Sequence, residues 1–384
     1  MEFYIFFKKN IQRSLQRAFL NDCCIDPYHR HPKIAAEVGH LSCLKRAKKA
    51  GYKLNKVANI AVKYEQFHIL KWLRENNFYF SESETFETAS NGNLNILKWL
   101  RENNCPWDQN VCNESAKKGH FHILKWAIEN GCPYNSTELC NNSVIGGLKI
   151  LKFSVEKKIP LNSKACVYAV EYKKIECLKY LHENECPWDE ETCCKSAALR
   201  SLDCLKYAHE NGCPWDVRTC EFAVESGSLD CLKYAHENGC PWNIRICEKA
   251  AIYGRLDCLK YAHENGCPWN IRICEKAAEY GHLECLKYAH ENGCPWNISI
   301  CEKAAENGHL ECLKYAHENG CPWDETICIA AARYNRLKCL EYAHENGCPW
   351  TLKTYIAAEE RRNSCFEYVK KNNCPSDNFS RRNE

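Results

Sequence analysis

Residues 274–297 read CEKAAEYGHLECLKYAHENGCPWN, and close copies of this stretch lie directly before and after it. The cysteine that opens the CLKYAHENG phrase recurs every 27 residues, at Cys177, Cys204, Cys231, Cys258, Cys285, Cys312 and Cys339. Weaker copies continue upstream at the same period through Ile150, Ile123, Ile96 and Ile69, and copies one residue shorter lie at Cys43 and Cys365. A fixed period of roughly 20–50 residues is typical of a solenoid. The sequence therefore predicts about 13 stacked repeats over residues 33–375.

Each repeat reads as two short helices joined by a tight turn. In one copy, the apolar spacing predicts a first helix from Ile246 to Tyr253 and a second helix from Leu256 to Asn265. Gly254 and Gly266 follow the two helices, where a left-handed residue commonly ends a helix. The fold class is therefore predicted to be all-α, an α-solenoid of stacked helix-turn-helix repeats.

The loop between repeats carries a Cys-Pro-Trp motif followed by Asp or Asn. A buried tryptophan removes about 150–250 Å² from water, so we expect Trp296 and its equivalents to lie beneath the next first helix and to join neighbouring repeats. Asn297 and its equivalents are suited to cap that helix, because Asp and Asn are good N-cap residues.

Composition and charge exclude several classes of protein. With 52 Lys+Arg and 49 Asp+Glu among 384 residues, the chain has no basic surplus of the kind that marks a nucleic-acid groove. No apolar run is long enough to span a membrane. The short run Phe3–Phe7 does not resemble a signal peptide. We expect an intracellular protein, cytoplasmic in its own cell or in a host cell if the source is a virus.

Of the 31 cysteines, all but Cys23, Cys24 and Cys194 recur at three positions of the repeat: at the start of the CLK phrase, before the loop proline and in the preceding helix. Because Ile96 and Ile123 fill the first position elsewhere, that position is interpreted as apolar packing, and a thiol behaves there as a small hydrophobe. Disulfides, which would need an oxidising compartment, are the alternative.

Histidines also follow the period, at His182, His209, His236, His263, His290, His317 and His344. Each precedes a loop cysteine by four residues, which would suit half of a zinc site. Equivalent residues of stacked repeats are about 10 Å apart, too far for shared ligands, so we predict a half-exposed position and no metal. Lysines such as Lys287 are expected to pair with the glutamate four residues later, Glu291.

Residues 277–297, AAEYGHLECLKYAHENGCPWN, resemble the ankyrin repeat. Ala277–Ala278, Gly281–Glu284, Leu286–Lys287 and Gly293 match its AA, GHLE, aliphatic-basic and terminal glycine positions. The period is about six residues shorter than usual and the TPLH tetrapeptide is missing. The resemblance implies a short ankyrin variant without the β-hairpin finger, similar to repeat proteins of protists and large DNA viruses.

Within the late repeats, two stretches vary while the framework is nearly constant: the pair before the first-helix glycine and the pair after the tryptophan. In an ankyrin-like stack the first stretch lines the concave face, and Tyr and Arg are enriched in binding hot spots. Neutral variation of a tolerant surface is the alternative. The candidate partner-binding residues are Arg200, Arg218, Arg245, Tyr253, Arg272, Tyr280, Asn307, Arg333 and Tyr334.

These observations predict a non-catalytic scaffold, expected to be a monomer, that binds a protein partner on its concave face. No catalytic constellation, phosphate-binding loop or cofactor motif occurs, so no enzyme, cofactor or metal is predicted. The alternatives are a thiol-rich protein that responds to metal or redox state, and a substrate adaptor for a ubiquitin ligase. Residues 1–32 are interpreted as an N-terminal capping segment and residues 376–384 as a polar tail.

Overall fold

The structure, a computed structural model, describes residues 31–54, 56–268, 270–362 and 364–376. Within these ranges the chain forms 26 α-helices and no β-strand. The helices occur as 13 pairs; the first helix of each pair is called helix A and the second helix B. Almost all of the predicted capping segment and polar tail lie outside the described residues, so those two assignments stay predictions.

The pairs run through the chain in order. The first six are α1 (Pro32–Val38) with α2 (Leu41–Lys49), α3 (Val57–Lys63) with α4 (Phe67–Glu75), α5 (Glu82–Asn91) with α6 (Leu94–Glu102), α7 (Gln109–Lys118) with α8 (Phe121–Glu129), α9 (Ser136–Gly146) with α10 (Leu148–Glu156), and α11 (Ser163–Glu171) with α12 (Ile175–Glu183). The last seven are α13 (Glu190–Ala198) with α14 (Leu202–Glu210), α15 (Val217–Ser226) with α16 (Leu229–Glu237), α17 (Arg245–Ile252) with α18 (Leu256–Glu264), α19 (Ile271–Glu279) with α20 (Leu283–Glu291), α21 (Ile298–Asn307) with α22 (Leu310–Glu318), α23 (Glu325–Arg333) with α24 (Leu337–Glu345), and α25 (Leu352–Glu359) with α26 (Ser364–Lys371).

The chain divides into two compact units, with the division between Ala169 and Val170 inside α11. In each unit, consecutive helices A pack on one another and each packs on the helix B of its own repeat. This is the predicted all-α repeat solenoid, and the observed helix ends lie within one residue of those predicted for α17 and α18. None of the described helices is long and apolar enough to cross a membrane.

Small side chains fill the core between the helices. In α19, Cys274, Ala277 and Ala278 are fully buried, and Cys285 and Leu286 of α20 pack against them. Every described cysteine is a buried thiol. Burial raises the pKa of the Cys285 thiol to about 12, because a thiolate is poorly solvated there. The core thiols therefore act as small apolar groups, as the exchange with Ile suggests.

Side-chain oxygens cap the start of most helices A, as predicted. Asn297 Oδ1 accepts a hydrogen bond from the backbone N–H of Ser299 at the start of α21, with a distance of 2.9 Å. Glycine holds the left-handed turn after most helices B, as at Gly293 with φ +78°. Lys158 and Glu185 replace this glycine and still adopt φ +57° and +56°. These two turns are strained, because a side chain costs energy in that region.

The turn between helix A and helix B joins each repeat to the one before it. His282 Nε2 lies 3.0 Å from the carbonyl oxygen of Ile252, near the end of the preceding helix A. Arg255 donates to the oxygen of Glu225 in the same way, and Arg336 to that of Glu306. The last carbonyls of a helix lack partners within it, so at these junctions the following repeat caps its predecessor.

This contact requires glycine in the preceding turn. A Cβ placed on Gly254 would lie 2.4 Å from His282 Nδ1, and one placed on Gly281 would lie 2.4 Å from His309 Nδ1. At the junction where Arg200 replaces glycine, the equivalent residue of the next repeat is the small Ser228. The Arg200 guanidinium instead donates forward to the carbonyl oxygen of Ser226. A hydrogen bond between the two repeats is thus kept, but here the earlier repeat donates it to the later one.

We predict that Gly281→Ala destabilises the protein more than Gly293→Ala. Both glycines have positive φ, so alanine should cost about 1–2 kcal/mol at either position. At Gly281 the added methyl group also displaces His309, whereas nothing lies within 4 Å of a Cβ on Gly293. Losing the hydrogen bond between His309 and the backbone of Glu279 adds about 1 kcal/mol. Urea unfolding followed by circular dichroism measures the difference, and equal midpoints would contradict the capping contact.

We also predict a pH-dependent contribution from His309. Burial, followed by repulsion from His282 and Arg336, lowers the pKa of His309. The folded protein therefore favours the neutral ring, and stability should fall as the pH drops through the unfolded pKa of about 6.5. His309→Gln is the matched variant, because Gln66 occupies the same position in an early repeat and donates to the oxygen of Glu37. The change in unfolding midpoint between pH 7.5 and 5.5 should be smaller for the variant than for the native chain.

Candidate interaction surface

The periodic His, Trp and Tyr side chains form a three-ring cluster between neighbouring helices B. His290 of α20 stacks on Trp296 with a centroid separation of 3.6 Å. Tyr315 of α22 meets both rings edge-on, and its hydroxyl lies 3.0 Å from His290 Nδ1. The same three-ring contacts occur around Trp215, Trp242, Trp323 and Trp350. The cluster joins consecutive repeats and leaves the histidines half-buried.

The tryptophans join repeats through rings that the sequence analysis did not pair with them. Their described ring contacts are with helices B, and they also pack against the core that both helices of the repeat form. Their expected position beneath the next helix A stays a prediction. This ring stacking cannot be read from the repeat of one tryptophan alone.

The candidate zinc ligands bind other groups. His290 Nδ1 contacts the Tyr315 hydroxyl, and Cys294 Sγ donates to the carbonyl oxygen of Asn270, 24 residues earlier in the chain. Within the described ranges, no three His, Cys, Asp or Glu side chains are arranged to hold a metal ion. The structure therefore offers no ligand set for the metal-binding alternative in these residues.

The lysines of helix B pair differently from the prediction. Lys287 contacts Glu284, three residues earlier, at 3.0 Å instead of Glu291, four residues later. Its ammonium group also lies 6.0 Å from the centre of the Tyr315 ring in the next repeat. That ring draws the lysine toward the start of its helix, where the carboxylate of Glu284 is within reach. Both charged groups are well exposed, so the pair contributes little to stability.

Large exposed apolar side chains concentrate at one position of the repeat, the end of helix A. Eleven such residues occur in the described chain, and six of them occupy this one position. Five lie in the second unit and are called the exposed row: Tyr172, Leu199, Tyr253, Tyr280 and Tyr334, each 37–47 % exposed. Chance would spread these residues over all 27 positions of the repeat, so the row is a feature of the surface.

The predicted partner-binding residues fall at opposite ends of helix A. Tyr253, Tyr280, Arg333 and Tyr334 are exposed at its C-terminal end. Arg218, Arg245 and Arg272 lie in its first turn, where each faces a glutamate of the preceding repeat: Glu191, Glu221 and Glu248 respectively. About eight residues, or roughly 12 Å of helix, separate the two groups. They therefore form two edges and not one cluster.

Two further predicted residues have contacts with backbone oxygens. Arg200 bonds the Ser226 carbonyl in the turn, and the Asn307 side-chain amide donates to the oxygen of Lys303 at 3.0 Å. Tyr172 and Leu199 belong to the row but were not among the predicted residues. The period itself could have identified them, because Tyr172, Leu199 and Tyr253 are separated by multiples of 27 residues.

We predict that Tyr315→Phe destabilises the protein by about 1 kcal/mol, since it removes the hydroxyl paired with His290. Tyr280→Phe is the matched change, because the described residues provide no partner for its hydroxyl. That second variant should unfold at the same urea concentration as the native protein. If both variants behaved alike, the distinction between the structural tyrosines of helix B and the exposed tyrosines of helix A would be wrong.

Part of this chain is similar to known ankyrin-repeat proteins. The family model for ankyrin repeats in many copies matches residues 274–317. Among solved structures, the crystal structure of the ankyrin repeat domain of human ASB11 matches with 20% sequence identity and a TM-score of 0.40, covering 46% of this chain and 95% of that domain. A search of curated proteins finds no significant match.

Proposed function

Because this chain is an ankyrin-repeat protein, we propose that it is a non-catalytic scaffold that binds a protein partner through the exposed row. Ankyrin repeats generally mediate protein–protein interaction. The observation that carries the proposal is the concentration of large exposed side chains at one position of the repeat in the second unit. The row is predicted to line the concave face, as in other ankyrin stacks.

The chemistry of the row suits protein recognition. Tyrosine offers a large, stiff ring and a hydroxyl, and it is among the residues enriched in hot spots. Within the described chain, the hydroxyls of Tyr253, Tyr280 and Tyr334 have no hydrogen-bond partner, so a ligand can accept or donate there without breaking an internal contact. Lys276 lies 5.9 Å from the Tyr280 ring centre and pairs with Glu279 at 2.7 Å, so charges of both signs border the row.

The backbone beneath the row is already fixed, which favours binding. Gly254 and Gly281 end α17 and α19 in left-handed turns, and the next repeat bonds the carbonyls of these helix ends. A side chain that is already positioned loses less conformational entropy on binding. Tyr253 and Tyr280 occupy adjacent repeats and are expected to be about 8–10 Å apart, the usual spacing of packed helices.

The test is a triple variant, Tyr253→Ser with Tyr280→Ser and Tyr334→Ser. We expect unchanged circular dichroism and an unfolding midpoint close to native, because these side chains are exposed. Affinity for a partner captured with the native protein should fall by roughly tenfold or more, since a single hot spot contributes about 2 kcal/mol. Isothermal titration with that purified partner measures the change.

A matched control replaces three exposed tyrosines outside the row, Tyr52, Tyr79 and Tyr134, which are 57%, 78% and 38% exposed. This variant should bind like the native protein. A photo-crosslinking residue at position 280 should also link the partner, whereas one at position 134 should not. Native affinity in the row variant, or equal loss in both variants, would refute the assignment of the surface.

A further inference from the structure

The turns between helix A and helix B carry a local surplus of positive charge in the second unit. Seven of these turns, at residues 172–174, 199–201, 226–228, 253–255, 280–282, 307–309 and 334–336, contain five cations and no carboxylate. These five are called the turn cations: Lys173, Lys174, Arg200, Arg255 and Arg336. The chain as a whole is nearly balanced, with 52 Lys+Arg and 49 Asp+Glu, so the surplus belongs to this part of the surface.

Neighbouring carboxylates do not cancel this charge by ion pairing. At the end of helix A, Glu279 is already paired with Lys276 at 2.7 Å. The carboxylates of Asp203, Asp230 and Asp257 begin the next helices B, where the positive end of the helix dipole partly offsets them. None of the turn cations forms an ion pair within the described residues. Their charge therefore remains available to a ligand.

The turns contact one another and form a continuous line. A Cβ placed on Gly227 would lie 2.8 Å from Arg255 Cδ, and one placed on Gly308 would lie 2.8 Å from Arg336 Cδ. The histidines of the two turns between these arginines approach the preceding glycines in the same way. At the start of the line, the Arg200 guanidinium donates to the carbonyl oxygen of Ser226. Residues 199–336 therefore present a single strip of connected turns, called the turn line.

The exposed row lies on the turn line. Leu199 directly precedes Arg200, and Tyr334 stands two residues before Arg336. Arg336 uses its Nε to bond the carbonyl oxygen of Glu306 at 3.0 Å. Its two terminal nitrogens have no described partner, and a guanidinium can bind a carboxylate through two parallel hydrogen bonds. Large exposed side chains and available cationic donors thus alternate along the same strip.

We propose that the exposed row binds an acidic, extended peptide segment of its partner, whose Asp and Glu side chains pair with the turn cations while its apolar side chains pack on the row. This inference rests on the proposed function, because it gives the chemistry of the partner at the same surface. Complementary charge steers a partner toward a surface and excludes partners of the wrong sign.

The spacing of the repeats sets the spacing of the charges in the peptide. Packed helices lie about 8–10 Å apart and an extended chain rises about 3.3 Å per residue, so one repeat corresponds to about three peptide residues. Arg200, Arg255 and Arg336 stand two and three repeats apart. Carboxylates about six and nine residues apart, in a segment of about 16 residues, therefore match the arginines.

The same spacing disfavours a nucleic acid as the occupant. A strand of duplex DNA carries one phosphate about every 3.4 Å along the helix axis. The arginines of the turn line are about 20–30 Å apart, because two or three helix spacings separate them. Most phosphates along the strip would lack a cation, whereas a peptide needs only a few carboxylates.

The experiment selects binders to the full-length native protein from a random 16-residue peptide library displayed on phage. We expect the enriched peptides to carry net negative charge. Their synthetic forms, measured by fluorescence polarisation at pH 7.5, should bind at least tenfold more weakly when Asp and Glu are replaced by Asn and Gln. The affinity should also fall as the salt concentration rises.

A charge variant tests the turn cations with residues that the chain itself uses at this position. It combines Lys174→Ser, Arg255→His and Arg336→His, because Ser201, His282 and His309 occupy the same place in other turns. Histidine retains the carbonyl contact and is largely uncharged at pH 7.5. The unfolding midpoint should stay close to native, while the affinity for the acidic peptides falls at least tenfold.

The matched control removes three positive charges from helices B of the same unit, through Lys206→Gln, Lys233→Gln and Lys260→Gln, and should bind like the native protein. The proposal is overturned if no peptide is enriched, if the enriched peptides are neutral or basic, if the charge variant binds them as tightly as the native protein, or if the control loses as much affinity. It is also overturned if a 16-nucleotide oligouridylate displaces the peptides at equal concentration. Loss of peptide binding in the tyrosine variant alone would retain the exposed row as a binding surface and refute only its acidic preference.

Discussion

At several junctions of this protein, the end of helix A is completed by the repeat that follows it. A histidine or arginine in the next turn bonds a carbonyl oxygen near the helix end, as His282 does for Ile252 and Arg255 for Glu225. The glycine in the preceding turn leaves room for that side chain. The rest of the stack depends on this contact, since it sets how one repeat sits on the previous one while the alanines and thiols fill the space between.

The same contact explains why the exposed row can exist. A tyrosine at the end of helix A would disturb the stack if the helix end needed its side chain for capping. Because the following repeat bonds the carbonyl oxygens at the helix end, the side chains of Tyr253 and Tyr280 are not needed there and face solvent. The described sulfur atoms show the opposite arrangement, because all of them are buried.

The period predicted most of the fold, because helix ends and caps depend on residues a few positions apart. Gly293, Asn297 and their equivalents ended and began helices as expected. Contacts between side chains of different repeats were harder to predict from the sequence. The stacking of Trp296 on His290 and the approach of Lys287 to the Tyr315 ring both depend on how neighbouring helices B face each other. A one-dimensional pattern does not contain that orientation.

The candidate surface was predicted only in part for a similar reason. Variation between copies drew attention to both ends of helix A, but it did not show that Arg272 faces Glu248 of the preceding repeat while Tyr280 is exposed. Nor could it separate a side chain that bonds the backbone, such as Asn307, from one that faces solvent. Exposure, which the structure provides, was the property that distinguished them.

The reversed junction at Arg200 has a consequence for how such an array can grow. When a 27-residue segment is duplicated in tandem, each end of the copy carries only one of the two turn residues that meet at a junction. A segment that begins with a backward-reaching histidine fits only behind a glycine turn, whereas behind Arg200 the small Ser228 is required. Nearly identical repeats are therefore not freely interchangeable. The order in which copies can be inserted is limited by which turn residues fit one another.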